Sequence, residues 1–417
     1  MKDRICVVAA GHLTHCPRML KAADAFAEAG YRVRVVSSQH IPWATTGDED
    51  IKRARNKTWQ WTIVNWNRNH ARSINLWSAL RFRFAKKIAK LLEPANCPLK
   101  LAGAAYIRIN HELTRAALSE SFDLIYGGGG ALAAVAIAGR LAGAPYALDM
   151  EDFHSAEQEE ETPSAQLSHA LAERIEREVL PDAAFLTTAS EAMASAYTKK
   201  YGVRPTPINN TFPLPKKIPV FTPSLCDGLK LYWFSQTIGA HRGLEDVICA
   251  MGIAEIPGEL HLRGQAIPGY LERLKCLAAD VATQLQIIHH EPASPDEMVR
   301  LCYGYDVGLA LEQTHIFNRN ICLTNKAFTY MLAGLAVAFT DTQGQRNLAA
   351  DLKDGAIIYT PGDVAALAAG LRRWADDKKL LELAKAAAWH AAKQRWHWEH
   401  PQERGVLLSL AANVLGH

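Results

Sequence analysis

A lysine stands near the start of a predicted helix in the segment 324–340, TNKAFTYMLAGLAVAFT. Thr324 has the residue type of a helix N-cap, and Gly334 is typical of a helix end before an apolar run that predicts a buried strand. Lys326 then lies in the first turn, where the helix dipole disfavours a cation. This placement predicts an anion held jointly by the ammonium group and free backbone N–H groups. The alternative is a surface lysine on a loop.

A second cation lies in a similar context. The strand KLYWFS leads through a glycine-containing loop to Arg242, Gly243 and a helix, while the strand DVGLALE leads through a polar loop to Lys326. Because parallel strands place their carboxyl ends at one edge of a sheet, we expect both loops to meet there. Arginine makes bidentate contacts with phosphate, and lysine acts as a point charge. The two loops therefore predict a diphosphate site.

Titratable residues also follow a predicted strand in the first half of the chain. The strand Pro145–Leu148 opens into Asp149, Glu151, Asp152 and His154. Since open α/β sheets bind ligands beyond the carboxyl ends of their strands, we expect this group to contact substrate. A charged surface loop without a binding role is the alternative.

The elements that position these residues alternate between strands and helices. Strand Arg4–Ala10, a helix that Gly30 ends, and strand Tyr31–Ser37 form a βαβ unit, which predicts a parallel sheet. Four glycines, 127–130, allow a ligand or another backbone to approach closely after a later strand. Six prolines between positions 205 and 223 predict a linker, and a second α/β series follows them.

The chain is therefore predicted to form two facing, doubly wound Rossmann-like domains with a cleft between them. We place an N-terminal domain at residues 1–212, a C-terminal domain at 213–395, and a helical segment at 396–417 that crosses back onto the first domain.

The amino-acid composition excludes some classes of protein. Hydrophobic residues make up 49% and charged residues 21%, an ordinary balance for a globular protein. The net charge of +3 is too small to predict nucleic-acid binding. No apolar run approaches the roughly 18 residues that a bilayer span needs, and the first residues lack a signal-peptide layout. The eight cysteines are scattered without a C-x-x-C pair, so we expect reduced cysteines in a cytoplasmic protein.

One segment has a pattern that is typical of binding to a membrane surface. Ser73–Leu92 predicts a helix with an apolar stripe of Leu76, Leu80, Phe84, Ile88 and Leu91, surrounded by basic residues. Such a helix lies on an anionic membrane, or it packs its stripe into its own domain with a solvated basic face. The sequence favours neither.

At the two anion loops the sequence resembles the GT-B glycosyltransferases, and within them the GT4-like family of bacterial glycan enzymes. The matching segments are FSQTIGAHRGLEDVICAM and NKAFTYMLAGLAVAF. The resemblance implies a nucleotide-sugar donor in the C-terminal domain and a glycan or lipid-linked acceptor in the N-terminal one. The resemblance further implies that Arg242 and Lys326 hold the donor diphosphate. It also implies that Gly11 and its loop close over the cleft and that the 149–154 segment faces the acceptor hydroxyl.

Two positions depart from the family pattern. Thr329 stands where the family carries a glutamate that binds the donor ribose, and the preceding glutamate of the pattern falls at Ile321. Glu312 is the nearest carboxylate that could replace them. The residues assigned to the donor are Gly11, Gly239, Arg242, Gly243, Gly264, Glu312, Asn325, Lys326 and Thr329.

The reaction implied is that of a hexosyltransferase, transferring a sugar from a nucleotide-diphosphate sugar to a hydroxyl in cell-surface polysaccharide, lipopolysaccharide or capsule biosynthesis, with retention. We assign Arg242 and Lys326 to neutralise the departing diphosphate. Without a D-x-D motif at a strand end or ligand spacing among the histidines, we expect no metal and no cofactor. An inverting enzyme would need a base, for which Glu151 and Asp152 are the candidates. The alternatives are a 2-epimerase-like enzyme and a protein that binds the nucleotide sugar without efficient transfer.

Overall fold

The computed structural model describes residues 3–157, 162–217, 219 and 228–417. The chain divides into two compact units, one formed by residues 1–208 with 404–417 and the other by residues 209–403. The domain boundaries expected from the sequence were 212/213 and 395/396. Of the predicted proline-rich linker, residues 218 and 220–223 lie outside the described residues.

The first unit is built on seven strands, and every pair of neighbouring strands is parallel. The strands are β1 (Arg4–Ala9), β2 (Arg32–Gln39), β3 (Gln60–Asn65), β4 (Leu124–Gly128), β5 (Tyr146–Met150), β6 (Leu186–Thr188) and β7 (Thr206–Pro207). They lie in the order β3-β2-β1-β4-β5-β6-β7. The central strands β4 and β5 are buried along their whole length, as expected of a sheet covered on both faces.

Nine α-helices accompany this sheet in the described residues. They are α1 (Pro17–Glu28), α2 (Pro42–Arg55), α3 (Arg72–Leu92), α4 (Leu99–Tyr106), α5 (Asn110–Ala117), α6 (Leu132–Ala142), α7 (Pro163–Val179), α8 (Glu191–Tyr201) and, at the end of the chain, α17 (Val406–Leu415). Helix α17 packs against α1 and β4.

The second unit is built on six strands, again paired in parallel throughout. They are β8 (Leu229–Ile238), β9 (Gly258–Ala266), β10 (Leu285–His290), β11 (Val307–Ala310), β12 (Ala336–Thr340) and β13 (Ala356–Tyr359), in the order β10-β9-β8-β11-β12-β13. The helices are α9 (Leu244–Ala254), α10 (Tyr270–Val281), α11 (Met298–Leu301), α12 (Phe317–Ile321), α13 (Asn325–Leu332), α14 (Arg346–Leu352), α15 (Val364–Asp376) and α16 (Lys378–Gln394).

Two Rossmann-like units of parallel sheet and surrounding helices confirm the predicted fold class. The sequence analysis did not predict the helices α2, α4, α5, α12 and α14. Helix α2 contains the sequence Thr-Thr-Gly, whose residues are poor helix formers, so packing overrides local preference there.

The two glycines that end β4, Gly127 and Gly128, serve packing between strands. A Cβ atom at Gly127 would lie 2.7 Å from the carbonyl oxygen of Val8, and one at Gly128 would lie 2.8 Å from that of Asp149. Of the two predicted roles, close approach by another backbone is the one that the structure shows.

The described cysteines are all free, and Cys276 is the exposed one among them. Within the described residues, no helix combines the length and the apolar character that crossing a bilayer requires.

A buried ion pair fixes the centre of the first unit. The Arg18 guanidinium donates to both oxygens of Asp149, at 2.7 Å from Nε and 2.5 Å from Nη2. Its Nη1 donates to the carbonyl oxygen of Ile208, and the Thr187 hydroxyl donates to Asp149 at 2.6 Å. The pair therefore joins α1, β5, β6 and the segment that follows β7.

Replacing Asp149 by alanine should lower the free energy of unfolding by about 3–5 kcal/mol, because a buried guanidinium is left without its counter-ion. Urea denaturation measures this change. Asp182→Ala is the matched control, since its partner Arg140 lies 2.8 Å away in a pair that is largely exposed, so we expect less than about 1 kcal/mol there. Equal losses in the two variants would contradict the structural role of the buried pair.

Candidate functional site

The two predicted anion loops lie side by side in the second unit. Strands β8 and β11 are neighbours and run parallel, so the loops after them leave the same edge of the sheet. Gly243, at the start of α9, has a φ of 72°, and a Cβ atom there would lie 2.7 Å from the Gln313 side chain and 2.9 Å from that of Leu311. A glycine is required because the second loop packs directly against this turn.

Lys326 is buried and paired. Its Nζ lies 2.7 Å from Glu312 Oε1, and the two side chains are 9% and 7% exposed. This excludes the alternative of a surface lysine. The Glu312 carboxylate stands at the end of β11, so the ion pair connects the first turn of α13 to the neighbouring strand end.

The N-terminus of α13 has no side-chain cap. Thr324 occupies the N-cap position, but its hydroxyl donates to Glu312 at 3.3 Å instead of accepting from a backbone N–H group. The first-turn N–H groups therefore keep their capacity to bind an anion. Thr324 and Lys326 bind the same carboxylate oxygen, which orients both toward the loop edge.

Two arginines add positive charge around Glu312. Burial on its own would raise the pKa of the Glu312 carboxyl, but Lys326, Arg242 and Arg319 together hold this pKa below its usual range. Burial and the neighbouring Arg319 lower the pKa of Arg242, while Glu312 opposes the change. Three cations around one carboxylate leave an excess of two positive charges, which matches the charge of a diphosphate diester.

Arg319 is the residue that the sequence reading missed. It lies on α12, in a stretch read as a polar loop, and its Nη1 donates to the carbonyl oxygen of His241 at 2.8 Å. His241 belongs to the first anion loop and has a φ of 61°. The signal in the sequence was a lone cation between two predicted anion-binding segments, and periodicity could not assign it to a helix of five residues.

The remaining residues assigned to the donor occupy several environments. Thr329 is fully buried and its hydroxyl donates to the carbonyl oxygen of Asn325 at 2.8 Å. Gly264 lies within β9, where a Cβ atom would be 2.1 Å from the carbonyl oxygen of Ser235, so this glycine allows β8 and β9 to approach. Gly239 follows β8 directly and packs against the Ile267 side chain.

In the first unit, the carboxylate near the end of β5 has a structural role. Asp149 is fully buried and its oxygens are bound by Arg18 and Thr187, so it is not oriented toward a substrate. Glu151 and Asp152 follow it, and both are partly exposed. The Asp152 carbonyl oxygen accepts from the Tyr197 hydroxyl at 2.9 Å, which anchors the backbone of the segment.

The pKa of the Glu151 carboxyl group is raised. Desolvation and the adjacent Asp152 raise the pKa of its carboxyl to about 8, against the lowering effect of Arg18 and Lys21. A carboxyl group that titrates near neutrality is suited to proton transfer, but it is a poor base at pH 7 because most of it carries a proton.

The pKa of the His154 imidazole is also raised. Burial opposes protonation of the imidazole, but Glu157, whose carboxylate lies 3.3 Å from Nδ1, outweighs it and the pKa rises to about 9. Its Nε2 is buried and has no hydrogen-bond partner among the described residues. The segment therefore holds a carboxyl group and an imidazole, three positions apart, whose pKa values are both raised.

The loop that contains Gly11 is held by a buried histidine. His12 Nδ1 lies 2.8 Å from Asp48 Oδ2, and its Nε2 accepts from the backbone N–H groups of His40 and Ile41 at 3.0 and 2.9 Å. These contacts place the imidazole proton on Nδ1 and connect the loop after β1 to the loop after β2. The partners are distant in sequence, so spacing gave no signal for this arrangement.

In the described residues, no group of three or more histidines, cysteines or carboxylates is arranged to hold a metal ion. The two strand edges differ in character: the second unit holds a cluster of cations around Glu312, and the first holds the titratable groups Glu151 and His154.

Comparisons with known proteins give one family and one fold. Residues 17–209 match the family model of the glycosyl transferase 4-like domain. Sucrose-phosphate synthase from Thermosynechococcus elongatus superposes with a TM-score of 0.69 at 12% identity, covering 99% of this chain and 98% of that one. Anabaena HepE, solved with UDP and glucose, gives 0.66 at 18% identity, with 99% of each chain covered. S. aureus TarM, solved with Fondaparinux, alpha-GlcNAc-glycerol and UDP, gives 0.64 at 9% identity, with 100% of each chain covered. No curated protein matches the sequence.

The raised pKa of Glu151 should make stability fall with rising pH. The folded chain keeps a proton that the unfolded chain loses above about 4.5, so this contribution is complete below pH 4.5 and is lost as the pH rises through about 8. Urea unfolding across this window should show the wild type losing stability relative to Glu151→Gln as the pH rises. Glu120→Gln, at a carboxylate 57% exposed, is the control and should leave the profile unchanged. A constant difference between wild type and Glu151→Gln would contradict the assignment.

Proposed function

We propose that this chain is a GT-B glycosyltransferase whose donor is a nucleoside diphosphate sugar. The match of residues 17–209 to the glycosyl transferase 4-like domain and the shared fold support this proposal and agree with the resemblance drawn from the sequence. The observation that carries this proposal is the buried Lys326–Glu312 pair at the uncapped N-terminus of α13, with Arg242 and Arg319 beside it. The second unit binds the donor, and a hydroxyl of a glycan or glycolipid in the first unit accepts the sugar.

The second unit stabilises the leaving group. Negative charge develops on the diphosphate as the glycosidic bond breaks, and preorganised cations lower the energy of that state. Lys326 and Arg319 are already oriented, by Glu312 and by the His241 carbonyl group respectively, so little reorganisation is needed. Glu312 keeps the lysine in place and is the carboxylate that we assign to the donor ribose, in place of the glutamate that Thr329 replaces.

Uridine diphosphate is the nucleotide that we propose first for the donor. HepE has been solved with UDP-glucose and TarM with UDP, and both share the fold of this chain.

Transfer is proposed to proceed with retention and without a metal ion. Retention is what the family resemblance implies, and the raised pKa of Glu151 makes this carboxyl group a weaker candidate for the base that an inverting enzyme needs. Asp152 stays as the base candidate for inversion. Metal independence is supported by the cations at the diphosphate site. The anomeric configuration of the product, and activity in the presence of a chelator, test these two proposals.

The acceptor is proposed to belong to cell-surface polysaccharide, lipopolysaccharide or capsule biosynthesis, on the cytoplasmic face of a membrane. Support comes from the exposed basic and apolar helix α3, which suits peripheral contact with an anionic membrane and a lipid-linked acceptor.

A second candidate function is donor binding without efficient transfer. It is favoured by Thr329, whose hydroxyl is bound to the backbone of its own helix at the family's glutamate position. This candidate predicts that nucleotide binds while no sugar is released or transferred with any acceptor offered.

Lys326→Ala should abolish stabilisation by the cognate nucleotide. A thermal-shift panel of UDP, GDP, ADP, CDP and dTDP identifies that nucleotide, since a ligand at 100 times its Kd adds about 2.7 kcal/mol to the stability of the wild type. Lys275→Ala, on the exposed surface of α10, is the matched control and should keep the full shift. The shift is compared within each variant because Lys326→Ala also leaves Glu312 unpaired. An unchanged shift in Lys326→Ala would remove the lysine from the site.

Arg319→Gln should weaken binding of the same nucleotide by roughly 10- to 100-fold, since a charge-assisted hydrogen bond contributes about 1.5–3 kcal/mol. Isothermal titration calorimetry of the full chain measures the change in Kd. Arg273→Gln, an exposed arginine of α10, is the control. Wild-type affinity in Arg319→Gln would show that this arginine only supports the His241 loop.

A further inference from the structure

Helix α3 exposes its apolar face. Trp77 is 67% exposed, Phe84 68% and Leu91 84%, which are high values for side chains of this size. The other large apolar side chains exposed on this helix are Ile74, Leu76, Leu80, Ile88 and Leu92. Of the two predicted alternatives, packing of the apolar stripe into its own domain is therefore wrong.

The helix is held to its unit by a different face. Ser78, Ala85 and Ala89 are its buried residues, and their spacing of seven and four places them on one side of an α-helix. Helix α4 packs there, and Cys97 donates to the Ala89 carbonyl group. Small side chains let the helices approach closely, so the large apolar side chains are left pointing into solvent.

One flank of the apolar face is strongly basic. The 21 residues of α3 include six lysines and arginines and no carboxylate. Arg81 pairs with Glu112, but Arg68, Arg72 and Arg83 have no carboxylate partner among the residues that the structure describes. The apolar face and the basic flank are adjacent, which is the arrangement of helices that lie in a membrane interface.

A pocket of about 800 Å³ opens on this flank. Its lining combines four arginines and two asparagines with apolar side chains of α3: Arg68, Asn69, Arg72, Asn75, Leu76, Ala79, Leu80, Arg83 and Arg108. Arg108 is preorganised, because Nε donates to the Ser78 hydroxyl at 3.0 Å and the guanidinium lies 4.7 Å from the centre of the Trp66 ring. Burial and the nearby Arg83 lower the pKa of Arg108, so an anion in the pocket would relieve repulsion between the two.

We propose that α3 docks the first unit onto an anionic lipid bilayer, with its apolar side chains in the interface and the arginine pocket around the phosphate of a lipid head group. Charge complementarity selects this occupant, since the unpaired arginines surround the mouth of a pocket that is continuous with Leu76 and Leu80. A phosphate attached to a hydrocarbon chain satisfies the polar and the apolar walls together. If the chain transfers a sugar as proposed, this surface would select acceptors carried on phosphate-bearing lipids. This consequence depends on the proposed function, whereas membrane docking does not.

Vesicle sedimentation of the full chain, without nucleotide or sugar, tests the proposal independently of any activity. We expect binding to vesicles of phosphatidylcholine mixed with phosphatidylglycerol, weaker binding as salt increases, and little binding to phosphatidylcholine alone. The double variant Arg72→Gln with Arg83→Gln should bind roughly 30-fold more weakly, because each cation near an anionic surface contributes about 1 kcal/mol. Trp77→Ser with Phe84→Ser should bind at least about tenfold more weakly through lost apolar burial.

Matched controls distinguish binding through this surface from non-specific binding to vesicles. Leu141→Ser and Arg373→Gln change an exposed leucine and an exposed arginine elsewhere, and both should bind as wild type does. Thermal unfolding confirms that each variant is folded. Absence of binding at low salt, or equal binding by all variants, would overturn the docking proposal. A concentration-dependent dimer that Trp77→Ser with Phe84→Ser abolishes, without vesicle binding, would overturn it in favour of self-association.

The pocket has its own test. At matched surface charge, vesicles with phosphatidic acid should bind more tightly than vesicles with phosphatidylglycerol, because a phosphomonoester enters the arginine pocket more fully than a phosphodiester. Arg72→Gln with Arg83→Gln should remove this preference. Equal binding to both lipids by the wild type would overturn the head-group assignment.

Discussion

The ion pair between Lys326 and Glu312 is the constraint on which the donor side depends. A lysine 7% exposed must have a counter-ion, because desolvating an unpaired ammonium group costs several kcal/mol. Glu312 supplies it from the neighbouring strand end, so the charge is fixed before any ligand arrives. The cost is that the lysine is already neutralised. The cluster regains a net positive charge through Arg242 and Arg319, and this explains why one cation on each loop would not have been enough.

The sequence revealed the fold because strand and helix periodicity are local properties. Continuous apolar runs identified the buried strands, and glycines marked several helix ends correctly. Helices such as α4 and α12 were missed because five to eight residues carry too little periodicity, and α2 forms against its own propensity. The proposed family followed from two motifs, and the residues of those motifs lie at one sheet edge.

What the sequence could not give is the pairing of charges. Arg18 and Asp149 are 131 positions apart, and His12 and Asp48 are 36 apart, so nothing in their spacing couples them. For the same reason Asp149 looked like a substrate contact in the sequence, whereas in the structure its oxygens are bound by Arg18 and Thr187. The pKa of a buried group depends on such contacts, which is why the raised pKa of Glu151 could be found only from the packed structure.

In most amphipathic helices the large apolar side chains also make the contacts with the rest of the fold, whereas in helix α3 these two roles belong to different residues. Its fold contacts run through Ser78, Ala85 and Ala89, while its large apolar side chains make no core. Polar residues could therefore replace Leu76, Phe84 or Leu91 with little effect on the packed interior, and such replacements would make the chain easier to concentrate and crystallise. The same independence leaves this face open to evolutionary change, so that relatives with an identical core could differ in where in the cell they work.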